Sequence, residues 1–140
     1  MNASVLLDTN VLLYAISTAP GERGKKVIAR ELLARADYGL SVQILQEFYV
    51  NATRGSNPAL THEDAVSAVR ELGQVPVAPM DVPLMEQAFR FKVRYRLSYW
   101  DAAVISAAKS LGARLIYSED LNHGQAYDGI TVENPFRQNA

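Results

Sequence analysis

Short apolar runs that stop at polar residues, each followed by a longer stretch with helical spacing, recur along this chain, and that alternation constrains its fold more than any other feature. Residues 4–7 (SVLL) read as a strand, because Val5, Leu6 and Leu7 stand together and break off at Asp8. Apolar density resumes at Val11 and continues to Ile16, with Asn10 as the expected N-cap of a helix that follows without a connecting loop. Residues 22–37 (ERGKKVIARELLARAD) put Ile28, Leu32 and Ala36 on one helical face. YGLSVQ (38–43) reads as a short buried strand that leads into ILQEFYVNATR (44–54), where Leu45, Phe48, Tyr49 and Ala52 restore helical spacing. GSNPAL (55–60) is a loop, and Thr61 and Asp64 form a capping box ahead of Ala65, Ala68, Val69 and Leu72.

VPVAP (75–79) is a third strand, weakened by its prolines. Asp81 caps a helix running to about Tyr95, and LSYWDAAVISAAKSLGA (97–113) carries another, with Gly112 as its stop. RLIYSED (114–120) is a strand ending in acids, and GITVENP (129–135) is a last short strand. Strands alternating with helices imply right-handed crossovers. The expected fold is therefore α/β, with a small, mainly parallel sheet sandwiched between helices.

Composition sets the bounds. At 140 residues, 49% hydrophobic and 21% charged, the chain is of a size and character for one soluble domain, taken as residues 1–140. No apolar run approaches the roughly 20 residues that span a bilayer, and MNASVLL lacks the features of a signal segment, so a cytoplasmic protein without a membrane partner is expected. The absence of cysteine excludes disulfides, thiolate metal sites and thiol nucleophiles together. A net charge of −1 provides no global basic field, so a nucleic-acid partner would need a local patch or a metal.

Acids at element ends then stand out. Asp8 ends the first strand, Glu47 lies early in the helix after the second, Asp101 opens a later helix, and Glu119 and Asp120 end the fourth strand. A parallel sheet gathers such strand ends at one edge, where open α/β sheets bind ligands. Each has a plain alternative: Asp8-Thr9-Asn10 as a turn stocked with capping residues, Asp101 as the acid of a capping box with Ser98, Glu47 as a solvated helix residue, Asp120 as the start of a turn. The alternatives do not explain the apolar company that Glu47 and Asp101 keep. With no matching set of buried cations, a divalent ion that takes carboxylate oxygens, Mg²⁺ or Mn²⁺, is the expected partner. Such an ion serves phosphodiester hydrolysis, and it would let an acidic pocket accept a polyanion.

LLDTNVLLYA, SVQILQEFYV, LSYWDAAVISAA and LIYSEDLNHGQ, in that order over nearly the whole chain, resemble the PIN domain, and more closely its VapC-type toxin ribonucleases. The resemblance implies a Mg²⁺- or Mn²⁺-dependent endoribonuclease, the toxin of a toxin–antitoxin pair. Its implied catalytic and metal-binding acids are Asp8, Glu47, Asp101 and Asp120, supported by Thr9, Asn10 and Ser118. Asp120 rather than Glu119 takes the last place, because the family's motif sets its acid two residues after a Ser or Thr. It also implies an RNA substrate, a homodimer and a cognate antitoxin that covers the acidic pocket.

Other readings stay in view. A housekeeping PIN-domain nuclease shares the same acids. An aspartyl-phosphate phosphatase would use Asp8 as nucleophile and wants an acid where Asn10 stands; a phosphoacceptor signalling domain wants a strand-end Lys that is missing. His123 invites a general-base role, although a loop histidine beside Gly124 is more often structural, and His62 reads as solvated. Trp100 is expected in the core, with stacking on a base as its other use. Arg90 and Arg94 share one side of a helix while Lys92 and Arg96 share another, two small patches rather than one. Arg23, Lys25, Lys26 and Arg54 are the remaining candidates for phosphate contact.

Overall fold

The computed structural model describes residues 2–137. Six strands, β1 (Val5–Leu7), β2 (Tyr38–Ser41), β3 (Val77–Ala78), β4 (Leu115–Tyr117), β5 (Ala126–Tyr127) and β6 (Ile130–Glu133), form one sheet in the order β3-β2-β1-β4-β6-β5. Every pairing is parallel except that of β5 with β6. The helices are α1 (Thr9–Ala15), α2 (Arg23–Leu33), α3 (Val42–Ala52), α4 (His62–Leu72), α5 (Val82–Tyr95) and α6 (Tyr99–Ser110), with a single 3₁₀ turn at Pro20–Glu22 before α2. The α/β fold with a mainly parallel sheet is as the sequence predicts.

Burial explains why the strands read as unbroken apolar runs. All residues of β1 and β2 are buried, because helices cover both faces of the sheet. β3, flanked by Pro76 and Pro79, is only two residues long and lies at the sheet edge, the place prolines tolerate. Gly39 in β2 is required by packing: a Cβ there would come within 2.9 Å of Ala3, Leu111 and the Pro76 carbonyl.

Two local readings change. The N-cap of α1 is Asp8, not Asn10: the Asp8 carboxylate accepts the Thr9 amide, which places Asn10 inside the first turn. The strand β5 was not expected. It pairs with β6 through a two-residue turn in which Asp128 and Gly129 both have positive φ (53° and 81°). An Asp-Gly pair between apolar residues is a strong hairpin signal, and AYDGITV contains it.

Candidate active site

In the order β3-β2-β1-β4, the chain leaves β1 toward one side for β2 and β3, and β4 lies on the other side. That reversal opens a crevice beyond the carboxyl ends of β1 and β4. Asp8 follows β1 there, and Ser118 to Asp120 follow β4. The backbone ties the two ends, since the Asp8 amide donates to the Tyr117 carbonyl at 3.0 Å.

Asp8 is 7% exposed. Its Oδ1 accepts the Thr9 amide at 2.8 Å and its Oδ2 accepts the Ser118 hydroxyl at 2.7 Å. Burial pushes the carboxyl up from 3.8 to about 6; the two hydrogen bonds oppose this, and the charges of Asp120 and Glu47 add to it. The same Ser118 oxygen accepts the amides of Asp120 and Leu121, at 3.1 and 3.2 Å, which winds the chain after β4 into a tight turn.

Glu47 comes from the middle of α3, whose N-cap Ser41 is the last residue of β2. The Thr9 hydroxyl donates to Glu47 Oε1 at 3.0 Å, so one residue of α1 joins the first strand's acid to the second's. Asn10 does the same for the β4 loop. Its Nδ2 donates to Asp120 Oδ2 at 3.3 Å, and its Oδ1 accepts the Glu119 amide at 3.2 Å. Freed from capping, Asn10 sets the position of Asp120. Thr9, Asn10 and Ser118 therefore stand within hydrogen-bonding distance of Glu47, Asp120 and Asp8 respectively.

Glu119 faces elsewhere. Lys25 Nζ pairs with its Oε2 at 2.6 Å, and the Tyr14 hydroxyl donates to its Oε1 at 2.5 Å. Burial works to raise its pKa, but these two partners outweigh it and hold the group below the usual carboxylate range. Lys25, expected as a phosphate contact, is thus committed to Glu119 and to Tyr14, over whose ring it sits 4.7 Å from the centroid. Tyr14 is one helical turn beyond Asn10, a spacing that would have placed it at the site. Arg23 and Arg54 are exposed, with no ion pair among the described residues.

Asp101 is half-buried in the first turn of α6, where its amide donates to the N-cap Ser98 hydroxyl at 3.1 Å. The structure shows no hydrogen bond from its carboxylate to the other three acids; α6 is tied to α3 through Gln43, whose Nε2 donates to Glu47 Oε1 at 3.4 Å and to the carbonyl of Trp100, the residue before Asp101, at 3.5 Å. Gln43 precedes Glu47 by one helical turn, and sequence reasoning passed it over. Trp100 is not a core residue: it is 61% exposed, with its ring edge-on to Tyr99 at 5.0 Å. Neither histidine faces the acids by hydrogen bond. His123 Nδ1 accepts the Asn134 amide at 3.0 Å, and His62 Nδ1 meets the Tyr49 hydroxyl at 2.7 Å rather than being merely solvated.

Asp8, Glu47, Asp101 and Asp120 form no ion pair among the described residues, and Gln43 Oε1 is buried without a hydrogen-bond partner. Unneutralised, oxygen-only donors with a spare carbonyl suit a hard divalent cation. Among the described residues no three acidic or histidine side chains close on one point. Mg²⁺ does not need that, because it keeps several waters and takes one or two carboxylates.

A model of the family described as the PIN domain matches residues 5–128. Among solved structures, the Mycobacterium tuberculosis VapC20 toxin, described as cleaving the sarcin-ricin loop, is 23% identical with a TM-score of 0.65, over 84% of this chain and 90% of its own. A toxin–antitoxin complex from Klebsiella pneumoniae gives 17% and 0.69, over 96% and 100%. DNA-bound VapBC from Salmonella typhimurium gives 19% and 0.66, over 95% and 98%. No curated protein matches the chain. At these identities the structural likeness speaks for the fold, whereas the family match spans Asp8, Glu47, Asp101 and Asp120 as well: the chain belongs to the PIN domain family.

Proposed function

We propose that this chain is a Mg²⁺- or Mn²⁺-dependent endoribonuclease, the toxin of a toxin–antitoxin pair, which hydrolyses RNA phosphodiesters by attack of water. The observation that carries the reading is Asp8: a buried carboxyl at the sheet's switch point, raised to about 6, with the charges of Glu47 and Asp120 bearing on it and no ion pair to any of the three among the described residues. When bound, the divalent ion supplies an activated water and counter-charge for the phosphate.

The chain's own residues do the arranging. Ser118 and the Thr9 amide fix both oxygens of Asp8, Thr9 fixes Glu47, and Asn10 fixes Asp120, so the acidic groups are oriented before any ligand arrives. Pre-orientation of this kind removes reorganisation from the reaction step. The Lys25–Glu119 pair neutralises the neighbouring acid, which keeps one more negative charge away from an entering polyanion. An aspartyl-phosphate mechanism fits poorly, because both oxygens of Asp8 are already engaged and Asn10 is occupied in holding Asp120.

The antitoxin partner is supported by the toxin–antitoxin complexes among the structural neighbours. A homodimer is supported by α5, which leaves Val82, Met85, Phe89 and Val93 exposed at helical spacing. Described residues include no helix long and apolar enough to cross a membrane. The test is cleavage of total cellular RNA with Mg²⁺, Mn²⁺ or EDTA, the cut ends being mapped, alongside expression of the chain alone and with its genetic neighbour. Metal-dependent cutting, growth arrest and relief by the neighbour are expected. Cutting without arrest would instead favour a housekeeping nuclease.

A further inference from the structure

We infer that Gln43 is a positioning residue of this site, its side-chain amide holding Glu47 of α3 and the first turn of α6, which carries Asp101, at the spacing that receives the divalent ion. The inference rests on the function proposed above.

Gln43 is 4% exposed and makes two contacts, both through Nε2: one to the Glu47 carboxylate and one to the Trp100 carbonyl, the residue before Asp101. Two acceptors on that side fix which way the amide faces. Turned over, its carbonyl oxygen would lie against a carboxylate and a second carbonyl. Oε1 is therefore left buried and unpartnered. An unsatisfied buried acceptor destabilises the fold, and an apolar side chain of similar length would avoid that cost. A polar group kept at such a cost, at a contact that ties Glu47 to the first turn of the helix carrying Asp101, is accounted for by a donor that arrives with the ligand. A water of the ion's hydration shell has that chemistry.

The experiment uses the full chain and Mn²⁺ alone as probe. Gln43→Met keeps the length and removes the amide. Without metal it should melt at or above the wild type, since the orphaned acceptor is gone; by calorimetry it should bind Mn²⁺ about 10–100-fold more weakly, the scale for losing a partner that orients a ligand. A lower metal-free melting point with unchanged Mn²⁺ affinity would make Gln43 an ordinary packing residue and overturn the inference. Should Gln43→Met fail to fold, Gln43→Asn, polar but one methylene short, must show the same loss of affinity or the inference falls. RNA cleavage is read separately. A wild type that binds Mn²⁺ and loses it with Gln43→Met, yet cuts no RNA, overturns the nuclease reading and leaves the role of Gln43 standing; a wild type that binds no Mn²⁺ overturns both.

Discussion

Asp8 and Asp128 lie at opposite ends of the sheet and are treated oppositely by the fold. Asp128 sits in the turn that starts β6. Lys109 hydrogen-bonds its carboxylate, Arg94 approaches to 3.7 Å, and the pair of cations lowers its pKa. Asp8 lies beyond the end of β1 that faces the crevice, with neutral donors on both oxygens, two other acids acting on its charge and a raised pKa. An acid that serves the fold is given its cations from within the chain. One left unbalanced inside the protein is the feature on which the proposed cation site rests.

The most damaging way to probe that contrast is to remove the charge at the crevice. Asp8→Asn or Asp101→Asn should lower RNA cleavage by about 10²–10³ or more, the scale for deleting one electrostatic stabiliser of a transition state. Initial rates on a mapped RNA substrate at saturating Mn²⁺ measure it. Near wild-type rates in both variants would mean that Asp8 only caps α1 and Asp101 only belongs to the first turn of α6.

The same substitution should act in the other direction on stability. Asp8 has a folded-state pKa of about 6 against an ordinary 3.8, so between those values the native state binds the proton that the unfolded chain has released. Stability from this group therefore falls as pH rises through that window, reaching a penalty of about 3 kcal/mol above it. Metal-free Asp8→Asn should melt above the wild type near pH 7, and its advantage should shrink toward pH 4. Mn²⁺ reverses the ranking, since binding to the intact site contributes roughly 2.7 kcal/mol at a hundredfold excess over Kd. Melting curves with EDTA and with Mn²⁺ at two pH values decide it.

These effects could be planned from sequence because Asp8, Asp101 and Asp120 stand at strand or helix ends, with Glu47 on the helix that follows β2, and a parallel sheet gathers such ends at one edge. The partners that orient them were less legible. Asn10 looked like a cap because cap propensity is read locally, whereas the β1–α1 junction lets Asp8 cap with one oxygen and hold Ser118 with the other. Lys25 looked free because its partner Glu119 is 94 residues away in the chain. Trp100 looked like core, but it lies in the first turn of α6, ahead of the run of buried residues that begins at Ala102, and is left in solvent. β5 is the exception: its Asp-Gly turn was written in the sequence and needed only to be read.

A smaller change is expected at the other end. Asp128→Asn removes a carboxylate whose pKa is lowered by Lys109 and Arg94, so its contribution is present above the ordinary carboxylate pKa and is lost as pH falls. This variant should melt below the wild type at pH 7 and converge with it in acid, the reverse of Asp8→Asn. Added salt should narrow the gap, because the pair is open to solvent. Mn²⁺ should raise both midpoints equally. If Asp128→Asn instead raised the metal-free midpoint, the contrast between balanced and unbalanced acids would fail.

The smallest effect belongs to His123, which shares the crevice end of the sheet with Asp8 yet resembles Asp128 in having its partner within the fold. Its Nδ1 accepts the Asn134 amide, tying the loop after β4 to the end of β6. That acceptor role requires Nδ1 without its proton, so the imidazole serves the loop in its neutral form and offers only Nε2 to solvent. His123→Ala should cost about 1 kcal/mol of stability, the worth of one hydrogen bond, and leave most RNA cleavage intact. Rates for His123→Ala and Asp101→Asn on the same substrate, measured below the melting range of either, give the comparison. Equal losses would assign the general base to His123 and would break the rule that groups satisfied within the fold stand outside the chemistry.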